Sequence, residues 1–474
     1  MKKLFTILLF ATIFSQVYSQ TEVSGVQTGI WTAENTPYLV IGDITIPSGG
    51  SLIIEPGVEV NFQGLFKFIV NGNVQAIGTE TDSIQFTTDN TNLGWGGIRL
   101  NSSQNGSHFA YCLVENGKTS GSDYPNQHGG GFMLDNSNAV IEHCTLKHNE
   151  ATADDNGMGG AIYAINTSSQ TEIKDCLFTN NHSYGEGGAI KLTGDNGLLI
   201  SNCEFYDNTV LYGGGAICLY GCYDTKIDHS LFIGNQTNYS SGGALYIEGY
   251  CTRIVITNST LYDNQALGGD GGAADVVFSE ASFTNSIIYN NNGYYSNNIY
   301  LDFGYAEINY CNTPMPDGAT GSHNINTNPL FVDASNHDYN LQETSPCIDA
   351  GIDFLTITTA YNEVITVVDM DPSEYIGVAP DIGAYEFDPN LLIQNKENEI
   401  FTIFPNPTSD LVHFQFEDNQ IREIRIFDLS GKLISEKVIN NMKADITVSS
   451  LDKGCYMIQL KDNKGIFTKK LIKQ

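Results

Sequence analysis

A Gly-Gly pair followed by two small or apolar residues recurs six times along this chain, beginning at Gly130, Gly159, Gly187, Gly214, Gly242 and Gly271. The intervals are 29, 28, 27, 28 and 29 residues. A near-constant period of this size means that one small unit is stacked on copies of itself, because no single unit can bury its apolar face alone. The repeat decides the fold before any residue propensity does.

A second signature follows each pair. The blocks Cys144–Asn149, Cys176–Asn181, Cys203–Asn208, Ser230–Asn235, Ser259–Asn264 and Ser286–Asn291 align position by position, with a looser copy from Cys112. Their third residue is always large and apolar: Leu146, Phe178, Phe205, Phe232, Leu261 or Ile288. Such a column points inward and stacks on itself in the next coil. The sixth residue is Asn149, Asn181, Asn208, Asn235, Asn264 or Asn291. That suits a turn reaching left-handed dihedrals and a structural ladder of side-chain amides. The first residue is Cys and then Ser, a small and weakly polar position.

Columns of this kind arise when each turn of a coil makes short parallel strands that pair with the turns above and below, about 4.8 Å apart. The expected fold is all-β: a right-handed parallel β-helix. Apolar stretches at 44–46, 52–54, 58–62, 66–70, 84–87 and 98–100, punctuated by Pro47, Pro56-Gly57 and Asn71-Gly72, extend it upstream. About ten coils and a rod roughly 50 Å long follow.

The GGAI sequences at Gly159–Ile162, Gly187–Ile190 and Gly214–Ile217, paired with FxxN at Phe178–Asn181, Phe205–Asn208 and Phe232–Asn235, resemble the repeats of polymorphic outer-membrane proteins. The resemblance covers roughly residues 96–300 and implies a surface rod, as in the adhesive passenger domains of that family; no membrane barrel follows here. Asn328–Asp333, Tyr339–Leu341, Ser345–Gly351 and Asp381–Glu386 resemble the closing segment of bacterial β-helix surface proteins, the choice-of-anchor type. That resemblance implies a cap on the last coil, whose strand edges would otherwise lie open.

After the polar stretch 394–399 the period changes. Short alternating segments at 411–416, 424–428, 432–435, 445–448, 455–460 and 467–472 predict a small β-sandwich. Pro405-Asn406-Pro407-Thr408, DLSGKL with Gly431, LDKGCYMIQL with Gly454, and the terminal KKLIK with Lys469 and Lys470 resemble the type A sorting domain of the type IX secretion system. The resemblance implies partnership with that machinery, export across the outer membrane, and then release or attachment to a surface glycolipid.

The N-terminus agrees with export. Lys2-Lys3, an apolar run to Phe14 and the small Ser19 form a secretory signal, too short to span a bilayer. No Cys stands near the cut, which argues against a lipid-anchored protein. The expected divisions are a signal at 1–19, the β-helix at 20–327, a closing segment and linker at 328–390, and the sorting domain at 391–474. The mature protein is expected to be secreted or held at the surface.

Charge narrows the partners. Residues 21–390 hold 8 Lys and Arg against 43 Asp and Glu, a balance of −35, whereas residues 391–474 hold 12 against 11. A body this acidic repels nucleic acid and polyanionic glycans. Lyases and hydrolases on β-helices need a base, or paired carboxylates, around one bond. Arg99 and Arg253 are the rod's only guanidinium groups, and its lysines run about one per coil, so spacing yields no catalytic residue. No His set has metal-ligand spacing. The cysteines are expected as buried thiols, because parallel stacking aims neighbouring Cβ atoms the same way and strains a disulfide; Cys218 and Cys222 could pair across a turn.

Loop lengths point to one edge. From each turn Asn, or Gly117, to the next Gly-Gly the separations are 13, 10, 6, 6, 7 and 7, while the opposite arc varies only from 14 to 17. Insertions in solenoids gather on one face, often the binding face. That edge offers Asp123, Tyr124 and His128, the pair Asp154 and Asp155 as a weak Ca²⁺ candidate, and Tyr184, Tyr212 and Tyr239. Tyrosines join an apolar face to a polar tip and suit sugars or protein surfaces. The expectation is an adhesin or glycan-binding protein with a cell-surface ligand and no cofactor beyond that candidate Ca²⁺. The alternatives are a polysaccharide lyase or glycoside hydrolase on the same scaffold, and a structural surface-layer component.

Overall fold

A computed structural model describes residues 20–389 and 401–473, apart from 103–105, 120, 122–123, 295, 405, 407, 409, 417–421, 428–431, 440, 442, 450, 452 and 462–465. The signal segment, Asp123, Pro405, Pro407 and Gly431 lie outside the described residues. The chain divides into two units, at Phe387 and Asp388.

The first unit is a parallel β-helix. One coil shows the plan: Ile190–Thr193 on face one, Leu199–Ser201 on face two, Glu204–Tyr206 on face three, then the short Thr209–Val210. Alternation aims Ile190, Leu192, Ile200, Phe205 and Val210 inward, where all are buried. Among the described residues face two has eleven parallel strands, from Gly29–Trp31 to Tyr305–Asn309, one for each coil. Each residue stacks on its equivalent: Phe178 pairs with Phe205 and Phe205 with Phe232, the rings 4.7 Å apart and nearly parallel.

The Gly-Gly pairs stand where face one begins. Gly187 takes φ +67°, and a Cβ on Gly188 would fall 2.1 Å from the carbonyl oxygen of Gly215 in the next coil. Only glycine allows the coils to approach so closely.

The asparagine column sits inside the bend after face three. Asn181 Nδ2 donates to Asn208 Oδ1 at 2.9 Å and to Leu146 O at 2.9 Å, while its backbone N–H donates to the same Asn208 Oδ1 at 3.0 Å. Asn149, Asn208, Asn235 and Asn264 repeat this pattern, and Asn291 ends it on Asn298 Oδ1. The left-handed residue is not the ladder Asn but the one before it, as at His148, Asn180, Asp207 and Asp263.

The segment 328–387 meets the end of the rod, where Asn312 Nδ2 donates to Cys347 Sγ at 3.2 Å, and continues beyond it. The last coil is closed by residues 313–327, through the bridges Glu307 to Thr320 and Asn312 to Ile325. The segment beyond runs back along the outside of the rod. Ala384 N–H donates to Thr260 Oγ1, Gly383 N–H to Asn285 O, Ala360 N–H to Glu280 Oε1, and the Tyr385 hydroxyl to Glu204 Oε1. The sequence beneath explains the path. Leu231, Ile233 and Val255 occupy outward positions that hold Glu204, Tyr206 and Lys226 one coil earlier, and the segment buries them under Tyr339, Ala384, Ile357 and Val367.

The second unit is a small antiparallel sandwich. Phe401–Phe404, Leu411–Phe416 and Lys443–Thr447 form one sheet, and Arg422–Phe427, Leu433–Ile439, Gly454–Lys461 and Ile466–Lys473 the other. Phe414, Ile424, Ile446, Ile458 and Leu471 fill the space between them. Asn406 Oδ1 accepts the Ile472 N–H at 2.8 Å, and Thr408 N–H donates to Ile472 O. The PNPT motif thus ties the unit's first strand to its last.

Candidate functional site

The variable edge follows the short strands Glu150–Ala151, His182–Ser183, Thr209–Val210, Gln236–Thr237 and Gln265–Ala266. Backbone bonds from Tyr184 to Ala151, Tyr212 to Gly185 and Tyr239 to Leu211 set the three tyrosines on successive coils. Tyr212 and Tyr239 are 50% and 69% exposed, and their ring centroids lie 6.3 Å apart. Tyr184 is half-buried, edge-on to His182. Tyr124 is exposed beside His128, its phenol pushed above the ordinary value by burial and then by the Asp135 carboxylate.

His128 does not belong to the exposed edge. It is buried, stacked on Tyr163 at 4.5 Å, and its Nδ1 accepts the Met158 N–H. Burial, with Arg99 and Lys191 nearby, pushes the imidazole down to about 4. It is a neutral structural ring at ordinary pH. Asp154 and Asp155 close the turn Ala153–Asp155, and Asp155 faces solvent. Among the described residues, the side chains grouped tightly enough to hold a metal are Glu186, Cys218 and Glu248, not Asp155.

That group belongs to a column that counting lysines had hidden. The outward residues of face one run Arg99, Met133, Tyr163, Lys191, Cys218, Tyr246 and Asp275 in strict register. Lys191, only 3% exposed, places Nζ 2.5 Å from Glu186 Oε2, 3.1 Å from Cys218 Sγ and 3.6 Å from Glu248 Oε1. Lysine and carboxylates therefore do cluster, across coils, where spacing along the chain does not reveal it. Burial opposes the charge on Lys191, but Glu186, with Glu248 beside it, outweighs burial and keeps the ammonium protonated. Burial, then Glu186, lifts Glu248 to about 7. Burial also raises the Cys218 thiol well above its ordinary value. The ammonium fills the space between the three metal-capable groups, as a resident cation.

Arg99 is spent on the loop before the first Gly-Gly pair. Its Nε donates to Gly96 O, and its Nη1 to His128 O and Gly129 O at 2.5 and 2.8 Å. Nine described cysteines are free. Cys218 and Cys222 point apart: Cys222 lies in the rod's core, and Cys218 faces Lys191.

The bend between faces one and two carries Tyr220, Tyr250, Phe278 and Phe303, all exposed. Sequence reasoning missed these, because none falls in the aligned blocks. Clefts of about 490 Å³ around Tyr111, His143 and Lys147, and about 250 Å³ around Asp224, Arg253 and Thr366, share no residue with the tyrosine edge or the ionic column.

Comparison with known families agrees with this architecture. Residues 156–312 match the right-handed β-helix region, and residues 402–474 match the secretion system C-terminal sorting domain. No curated protein matches the chain. The chain is a right-handed β-helix carrying a type IX sorting domain, which directs it to the cell surface or the extracellular space. No helix among the described residues is long and apolar enough to cross a membrane.

Proposed function

We propose that the exported rod is an adhesin that binds neutral glycans of a cell surface or matrix through its variable edge, and Tyr212 and Tyr239 carry this reading. Two adjacent exposed rings on successive coils match the spacing at which consecutive rings of a sugar chain can be met. The acidic rod favours neutral ligands over polyanions. The sorting domain brings the type IX machinery as partner, and a surface glycolipid is the anchor consistent with display.

A lyase or hydrolase draws its best support from Glu186 and Glu248 around Lys191. That lysine is buried and held protonated, so it offers no free base, and this weighs for binding over catalysis. The test is the full chain on a glycan array, with depolymerisation assayed in parallel. Wild type should bind neutral glycans without cleaving them, and Tyr212→Ala with Tyr239→Ala should lose at least tenfold in affinity. Cleavage of a glycan by wild type, or binding unchanged in the double variant, would overturn the proposal.

A further inference from the structure

One left-handed residue per coil builds the bend between faces one and two. Ser102, Asn136, Asn166, Gly194, Gly221 and Gly249 hold that position in successive coils, with φ between 45° and 73°. Stacking bonds such as Asn166 N–H to Thr193 O and Gly194 N–H to Tyr220 O keep them in register. Small residues and asparagine are the ones that enter this region at low cost.

The next two coils break the pattern. Phe278 and Phe303 take the bend at φ 46° and 52°, and Tyr250, directly after Gly249, sits at 65°. A bulky side chain in this region costs about 1–2 kcal/mol. The rings are not buried in return, since Tyr250, Phe278 and Phe303 are 69%, 49% and 82% exposed. Tyr111 and Tyr310 also adopt left-handed dihedrals at the second bend, but each is stacked on an imidazole, His143 or His323. Strain together with exposure, where the packing gained is only ring against ring at the surface, is the mark of a position kept for a ligand.

The rings form a strip along the rod. Phe278 and Phe303 stack at 5.2 Å with planes 3° apart, and Tyr250 lies 6.3 Å from Phe278. The Tyr220 ring packs against the backbone of Gly249, where an added Cβ would fall 2.9 Å from it. Lys191 Nζ lies 5.2 Å from the Tyr220 centroid and steadies that end from beneath.

We infer that Tyr220, Tyr250, Phe278 and Phe303 form a second carbohydrate-binding surface, which takes the apolar faces of a neutral sugar chain lying along the rod axis. It rests on the glycan-binding function proposed above and adds a site on a different bend. Size argues against a protein partner. Four aromatic side chains at these exposures offer on the order of 500 Å², short of the ~800 Å² per partner that a stable interface buries. Charge argues against an anionic ligand, because Asp302 precedes Phe303 and Glu248 precedes Gly249 on an acidic rod.

The test replaces the aromatics by the residue that earlier coils use. Full-length Phe278→Asn and Phe303→Asn are compared with wild type and with the Tyr212→Ala, Tyr239→Ala variant on an array of neutral and uronic-acid oligosaccharides, with thermal melts alongside. Each Asn variant should lose roughly tenfold in affinity, equivalent to about 1.4 kcal/mol, while its Tm stays level or rises. Unchanged binding in both Asn variants, preference for uronic-acid chains, or a lowered Tm marking the rings as structural would overturn the inference. A wild-type rod silent on every glycan removes glycan binding altogether. Signal lost only in the tyrosine variant removes the strip alone.

Discussion

The rod carries a column of asparagines at one bend and a strip of aromatics at another, and the two differ in burial, bonding and backbone strain. The asparagines from Asn149 to Asn291 are buried, and each meets its neighbour's amide and a backbone carbonyl. The aromatics Tyr220, Tyr250, Phe278 and Phe303 are exposed, the last three of them strained, and they lie mainly against each other. Stacking alone does not separate architecture from function, since Phe278 and Phe303 stack in register just as the asparagines do. What separates them is whether the column satisfies the backbone around it or burdens it. By that measure the asparagines build the bend and the aromatics use it.

Breaking the asparagine column should have the largest effect. Asn208→Ala removes the acceptor for the Asn181 N–H and Nδ2, and the donor to Phe178 O, all among fully buried residues. Each buried group left without a partner costs about 1–3 kcal/mol, so the rod should lose roughly 3–5 kcal/mol in urea unfolding. Glycan binding by protein that remains folded should be untouched. A loss under about 1 kcal/mol would mean that the ladder is decoration.

The outer column of face one lies between the two extremes, being buried yet only partly satisfied. Asp275 is buried with Oδ1 unpartnered, and burial, followed by the charges of Asp302 and Asp270, lifts it to about 7. In an unfolded chain it releases its proton near pH ~4. Between those values the native state holds more protons, so stability falls as pH rises from about 4 to about 7, and stays low above. His128 acts in the opposite sense, because its depressed value lowers stability as pH falls from about 6.5 towards 4. The acid effect is therefore isolated above pH ~6.5. Wild type should melt lower at pH 8 than at pH 6.5, and Asp275→Asn should reduce that difference by raising Tm at pH 8. Equal differences in the two proteins would place the sensitivity elsewhere, with Glu248 the next group to test.

The architecture was legible because stacking forces equivalent residues into visible columns. Gly188 and Phe205 each repeat at their own fixed place, so period alone revealed the coil, and the tail's strands followed from alternation. Lys191, Cys218, Tyr246 and Asp275 also occupy one column, immediately after the GGAI-type sequence, but they share no chemistry, and register rather than identity unites them. The Glu186 and Glu248 carboxylates reach Lys191 from its own coil and from two coils on, a convergence that spacing along the chain does not reveal. The path of residues 328–387 was hidden for a related reason. Leu231 and Val255 read as ordinary strand residues until their outward direction is known.

The aromatic bend was the least legible, and a small, direct measurement tests its premise. If a bulky ring in that left-handed position is a burden, importing one into an early coil should be costly. Asn166 sits there at φ 54°, two coils downstream of Ser102 and with no aromatic neighbour in the column. Asn166→Phe should therefore destabilise the rod by about 1–2 kcal/mol, read as a lowered urea midpoint at unchanged slope. The ring gains no stack there to offset the strain. A variant as stable as wild type would show that the bend accepts aromatics freely, and Phe278 and Phe303 would then carry no signature of selection for a ligand.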